Sequence, residues 1–399
     1  MANPGESSSE EQRPIGQRLI KLALALVALV ILYFVSQDMI GNLLSGARRS
    51  KLDGDRGEIS KAIERWELTN KKSFDEWDLD KLQGSTMANF VRDPEGHPYV
   101  FDWFFRRLVY VGPDGALQTV VPGKTVEPGD SDDEVRNLHA WDRVLYARAD
   151  ETGTILELAN ADGSEPKQVA AVPGAVLGVH GLATKDANKI VVESVGGQLS
   201  IADLSAPQPV LTPLVKGEWP ALFGETTEWV FYASGGHIYK LSYKDRVPAK
   251  LTSGAGPFGE PSVELKSHWV WYAGRAGGEW SLFKFQLSSY GEPQRGFQTP
   301  GRDLHSPAPS ANGELIAYLA SSGGKTVLEV ADVKNGKVVL SEPNVLPDSR
   351  ICWSPDDQKI GYLAKKDDGV HMVLTHVTKK VSLVLPALVI GRSFAWLHD

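Results

Sequence analysis

The chain has 399 residues, 42% hydrophobic and 23% charged, a globular balance that excludes a collagen-like or wholly disordered protein. A formal charge of -8 and a pI near 5.7 argue against a nucleic-acid surface, because affinity for phosphates needs clustered Lys and Arg. A single cysteine, Cys352, excludes an internal disulfide and any cysteine-rich zinc site.

Residues 1–18 are rich in Ser, Glu, Pro and Gln, bury too little apolar area to offset ordering entropy, and read as a disordered tail. The stretch "LIKLALALVALVILYFVS", Leu19 to Ser36, then carries one charge, Lys21, whose long stem reaches the headgroups. With Met39 and Ile40 to extend it, residues 19–40 are long enough as a helix to cross a hydrocarbon core of ~30 Å. The small-x-small motif Ser45 to Ala47 lies well past the apolar run, so the segment reads as an uncleaved anchor rather than a signal peptide. Basic residues flank it on both sides. Arg13, Arg18 and Lys21 sit tight against the span on a short tail, which favours a cytoplasmic amino terminus, with everything after residue 40 on the other side.

Residues 41–100 read as a linker or stalk with short helices. Ile59, Ala62, Ile63 and Trp66 recur at three- and four-residue steps and define one helical face, and Ser73 with Glu76 forms a capping box. The run "DGDRGE", Asp53 to Glu58, lacks the remaining ligands of a calcium loop and reads as solvated linker.

From residue 101 a unit recurs. Doublets end the second strand of each unit: Leu145-Tyr146, Val191-Val192, Phe231-Tyr232, Trp271-Tyr272, Ala317-Tyr318 and Gly361-Tyr362, spaced 40 to 46 residues apart. That is the period of a four-stranded propeller blade. Turns at 112–115, 160–163 and 333–336 carry the Asp, Asn and Gly of tight hairpins. Breaks at 121–123, 172–174, 215–217, 251–254, 299–301 and near Pro347 and Pro386 close seven units. The ending "FAWLHD" is similar to "ICWSPD" and supplies the strand that the first unit lacks, so a strand within 387–398 closes the ring and removes its exposed edges. The expectation is an all-β, seven-bladed propeller over 101–399, with six or eight blades as the alternatives.

"WSPDDQKIGYLA", "PSANGELIAYLA" and "AKLTSG" resemble the TolB-type, WD40-like (PD40) repeats of bacterial envelope propellers. The resemblance covers roughly residues 100–399. It implies a propeller in the cell envelope, and with the anchor it implies a bacterial inner-membrane protein whose propeller is periplasmic. The sequence departs from TolB in its uncleaved leader and in leaving no room for an α/β domain between the anchor and residue 100.

No Gly-x-Ser-x-Gly elbow, His-Glu-x-x-His pair or phosphate-binding glycine loop is present, so no catalytic residue, metal ligand or cofactor site is assigned. His139, His180 and His305 fall near the starts of opening strands, which line a propeller's channel, and Trp219 takes the place of His305 in its own unit; these are the candidate ligand contacts. The competing reading is that nine histidines scattered over loops produce this by coincidence. Trp269 and Trp271 share a strand face and are the candidate partner-binding aromatics, with interblade packing as the competing role. The acidic run Asp130 to Glu134 reads as an exposed turn, and Cys352 as a small buried hydrophobe. The functional expectation is a single-pass, membrane-anchored scaffold binding a protein, peptide or glycan partner in the envelope. The alternatives are a structural subunit of a membrane complex, or a lyase or hydrolase using channel histidines and acids.

Overall fold

In the computed structural model the described residues run from 51 to 397, apart from 52–53, 56, 72–73, 75–78, 83–98, 103, 105–106, 112–116, 122–123, 126–142, 152, 182–187, 224–227, 255, 277 and 289–292. The anchor segment 19–40, the capping box at Ser73, the acidic run 130–134 and His139 lie outside them. Among the described residues no helix is long and apolar enough to cross a membrane. The chain divides into two compact units, Met1–His139 and Ala140–Asp399.

In the first unit residues 57–70 are helical. The expected face holds: Ile59, Ala62 and Ile63 are buried, and Trp66 meets Phe74 edge-on at 5.1 Å. The Phe74 amide donates to Glu67 Oε1 at 2.7 Å and ties down the chain beyond the helix. Four short antiparallel strands, Val100–Asp102, Arg107–Val111, Leu117–Val121 and Lys124–Thr125, form a separate sheet. These strands begin at residue 100, so the sheet takes up the stretch read as the opening of the propeller, and of the residues before it those at 57–70 form the helix expected of the stalk.

The second unit is a propeller of six four-stranded blades, not seven. Blades two to six run in simple order: Val176–Lys216, Glu218–Lys250, Phe258–Phe297, Asp303–Glu342 and Cys352–Leu388. Blade one takes its second to fourth strands from Arg143–Asp150, Gly153–Asn160 and Lys167–Val172, and its innermost strand from Ala395–Leu397. The carboxy-terminal strand thus closes the ring, as expected, but onto residues 143–150 rather than onto the sheet at 100–125. The six doublets counted the blades correctly. The seventh ending belongs to the sheet of the first unit, whose hairpin carries the same turn residues as a blade's.

The doublets explain how the blades stack. Side chains alternate along a strand, and a blade is covered on both faces, so both members of a doublet must be apolar. The first member faces the following blade: Leu145, Val191, Phe231, Trp271 and Ala317 each join the cluster on that side. The second faces the preceding one, as Val192, Tyr232, Tyr272, Tyr318 and Tyr362 do. The turns at 160–163 and 333–336 are formed as expected, with Gly163 at φ 81° and Gly336 at φ 70°, backbone that an L side chain strains to adopt.

Candidate functional site

The innermost strand of each blade lines the axis. Three of these strands bulge at a residue with positive φ followed by proline: Trp219 (54°) before Pro220, Glu260 (56°) before Pro261 and Ser306 (48°) before Pro307. Counting back from the residue opposite each doublet, the same ring position holds Gly178, Trp219, Glu260, Ser306, Arg350 and Ser393. A bulge adds a residue and turns its side chain out of the regular alternation. Here it delivers polar groups to the axis from strands that are otherwise apolar.

These groups form two clusters. In the first, Glu193 is fully buried; its Oε1 accepts from Arg392 Nη2 at 2.5 Å and from the Trp219 amide at 3.2 Å. The Arg392 guanidinium lies over the Trp219 ring, 3.8 Å from its centroid. His180 Nε2 stands 3.6 Å from Glu193 Oε2, longer than a hydrogen bond. Gly178 permits this approach, since a Cβ there would collide with Ser393 Oγ. In the second cluster Glu260 accepts from the Ser306 amide at 2.5 Å and pairs with His305 Nδ1 at 3.2 Å; the His305 ring meets Trp280 at 5.0 Å. Arg350 bridges non-adjacent blades, donating from Nη2 to the Pro261 carbonyl at 2.7 Å. His180 Nε2, Glu193 Oε2, Ser306 Oγ, Arg350 Nη1 and Arg392 Nε are buried without a hydrogen-bond partner.

Burial, reinforced by the positive charge of Arg350, pulls the His180 pKa down to about 4, so this imidazole is neutral at pH 7. Burial would raise the Glu193 carboxyl, but His180, Arg392 and the Trp219 amide together hold it below its ordinary value. Burial opposes protonation of His305, yet Glu260 overcomes it and raises that pKa. Burial also lowers Arg350 to about 10 and raises the Cys352 thiol to about 12; Cys352 is half-buried and lines the central cavity rather than being the fully buried hydrophobe expected.

The two histidines thus act in opposite pH windows. His180 has its folded pKa depressed from 6.5 to about 4, so the unfolded chain takes up the proton first; the stability this contributes is whole above pH 6.5 and lost as pH falls through about 4. His305 has its pKa raised, so its contribution is whole below 6.5 and lost as pH rises through the raised value. Denaturant titrations should show stability falling by about 3 kcal/mol between pH 6.5 and 4, and a His180→Gln chain should lack that fall. An equal fall in both chains would remove His180 as its cause.

Among the described residues, cavities open both at the axis and at the rim. One, of about 130 Å³, is lined by all six blades and includes His180, Arg350, Cys352 and Trp353. The other, of about 440 Å³, lies at the rim where outer strands hand over to inner ones in blades two to four. Its walls are Trp219, Phe258 and Trp280, with Lys216, Glu218 and Glu260 between them and the Gly196-Gly197 and Gly235-Gly236 hairpins at its edge.

His180 and Trp219 therefore meet in one cluster, while His305 belongs to the other. Trp219 matches Ser306 in register rather than His305, one residue away from the expected equivalence. Trp271 is 1% exposed and both it and Trp269 flank Lys284 in the cluster between blades four and five, at 4.9 and 4.6 Å. With no free face to offer a partner, Trp271 is a packing residue. Glu193, Glu260, Arg350 and Arg392 were not expected from the sequence. Aligning "EWPALF", "GEPSVE" and "HSPAPS" on their prolines would have exposed the ring position. No group of three or more His, Cys, Asp or Glu side chains among the described residues is placed to hold a metal ion.

An antiparallel ring of six four-stranded blades with a charged axis defines the class of this fold, a six-bladed β-propeller. Among solved structures, TolB from Acinetobacter baumannii superposes with a TM-score of 0.55 at 19% identity, over 75% of this chain and 78% of that one. The nidogen/laminin complex gives 0.51 at 9% identity, over 64% of this chain and 98% of that one. No family model and no curated protein matches the sequence.

Proposed function

We propose that this chain is a single-pass protein of the bacterial inner membrane, its amino terminus cytoplasmic and its propeller periplasmic, and that the propeller is a scaffold for an envelope protein partner. The rim cavity carries this reading. Trp219, Phe258 and Trp280 present aromatic surface beside Lys216, Glu218 and Glu260 in one concave site, which is the mixture that anchors a peptide segment. The ring fixes the site on a rigid disc, so little ordering entropy is lost on binding, and the apolar segment 19–40 supplies the anchor. The likeness of the fold to TolB supports placing the chain among envelope propellers.

Full-length chain solubilised from its native membranes should retain a stoichiometric partner. Lys216→Glu and Glu218→Lys, at exposed residues of the cavity, should each cut recovery of that partner ~10-fold or more while thermal unfolding stays unchanged. A partner held equally well by both variants, but lost when residues 19–80 are exchanged, would instead make the chain a structural subunit. A reporter fused after residue 399 checks the orientation.

A further inference from the structure

The six innermost strands run the same way along the axis, and the ring position divides it. In every blade the cavity of about 130 Å³ is lined by residues that follow that position, such as 220–222 after Trp219 and 394–396 after Ser393. The rim cavity takes from these strands residues at or before it, 218–219 and 258–260. The two cavities therefore lie on opposite sides of the polar ring. Of the six ring residues, only Arg350 also lines the axial cavity.

Arg350 is set apart by its partners as well. Arg392 is taken by Glu193, and Glu260 by His305 and the Ser306 amide. Arg350 reaches across from blade six to the Pro261 carbonyl of blade four, which puts its guanidinium on the axis, but it has no ion pair among the described residues. Its Nη1 is buried without a hydrogen-bond partner, and so are His180 Nε2 and Trp396 Nε1 of the same lining. An enclosed polar atom left unmet costs about 1–3 kcal/mol. All three of these nitrogens can donate, so what satisfies them must accept.

The rest of the wall limits what that acceptor is attached to. Below the ring the lining is apolar: Leu222, Val263, Leu265, Ala308, Ile351 and Phe394. The other charged residue of the lining, Asp357, sits past the innermost strand of blade six, where its oxygens accept from the Ala311 and Asn312 amides at 2.7 and 2.9 Å. The cavity thus has a cation at the ring end, an anion at the turn end and an apolar belt between. An apolar cavity of about 150 Å³ takes a benzene molecule, so this one has room for roughly six heavy atoms, three of them a carboxylate.

We propose that the axial cavity is a binding site for a small free monocarboxylate with a short aliphatic tail, its oxygens on Arg350 Nη1 and its tail in the apolar belt. A second carboxylate would be pushed towards Asp357, an inorganic phosphate would leave the belt facing charge, and an ammonium on the tail would be stripped of water there. The site does not depend on the rim cavity having a partner.

The probe is sodium butyrate, titrated by calorimetry into full-length chain in detergent, and one site per chain is expected. Butyramide, succinate, phosphate and 4-aminobutyrate should each bind ~10-fold more weakly or worse. Arg350→Gln removes the charge and should weaken butyrate by ~10-fold or more, with a single cooperative thermal transition as the check on folding. Val263→Phe, at a half-buried wall residue, fills the belt, leaves Arg350 in place and should abolish binding. If Arg350→Gln does not fold, Val263→Phe and the ligand series on the unaltered chain decide. The rim substitutions Lys216→Glu and Glu218→Lys should leave butyrate binding unchanged, so a failure of this site and a failure of the rim site are told apart. No butyrate binding, butyramide or 4-aminobutyrate bound as well as butyrate, or full binding by folded Arg350→Gln or by Val263→Phe overturns the proposal.

Discussion

Replacing Trp396 by Ala should destabilise the propeller by about 3–5 kcal/mol, a large part of the stability of an ordinary domain. The reason is position as well as size. Trp396 is 1% exposed on the strand that shuts the ring, opposite Val144. Its neighbours on that strand reach three blades. Phe394 packs where a Cβ on Gly361 of blade six would collide with it, Ala395 pairs with Leu145 of blade one, and Leu397 fills the space over Gly181 of blade two. The Ser393 hydroxyl accepts from the Val179 amide at 2.9 Å and donates to the Val179 carbonyl at 3.0 Å. Truncation after Gly391 removes all of this and leaves Arg143–Asp150 as an open inner edge, so the expected result is loss of a single cooperative unfolding transition together with aggregation. Denaturant unfolding followed by tryptophan fluorescence checks the substitution. A loss below about 1 kcal/mol would mean the site collapses around the missing indole, and closure would then owe little to it.

The architecture was legible because it rests on local periodicity. An apolar doublet is required wherever both faces of a strand are covered, and a propeller repeats that requirement once per blade. Even the likeness of "FAWLHD" to "ICWSPD" was structural, since Trp396 and Trp353 occupy the same place in their blades. Which sheet belonged to the ring was not legible. The strands at 107–111 and 117–121 have the turn chemistry of any antiparallel pair, and only the contact of residues 395–397 with 143–145 excludes them. That contact joins the two ends of the unit, and no local pattern records it.

The axis was legible in part for a related reason. His180 and Trp219 stand out as unusual residues on apolar strands. Glu193 does not, because a lone Glu near a strand end normally faces water. Only the bulges reveal that it is enclosed. The X-Pro steps after Trp219, Glu260 and Ser306 break the two-residue alternation, so the regular strand pattern is one residue out of register beyond each of them. Unbroken alternation equates Trp219 with His305, and the bulges equate it with Ser306.

Changing Glu193 to Gln tests the enclosed charge directly. The amide keeps the shape and an acceptor for the Trp219 amide and Arg392 Nη2, so packing is held constant while one negative charge is removed. Arg392 then loses its carboxylate partner, and nearby Arg350, already lowered to about 10 by burial, loses a stabilising charge. His180 cannot compensate, being neutral at pH 7 with its pKa near 4. Breaking a buried pair from one side leaves an uncompensated charge, and the expected loss is about 3–5 kcal/mol. Removing the positive partner as well should recover much of it. Arg392→Met beside Glu193→Gln eliminates both charges and leaves an apolar stem over Trp219, so the double variant should be more stable than the sum of the single changes predicts, by about 1–3 kcal/mol. Additive losses would show that Glu193 and Arg392 act on stability separately, and that the Arg392 guanidinium is held by the Trp219 ring rather than by the carboxylate.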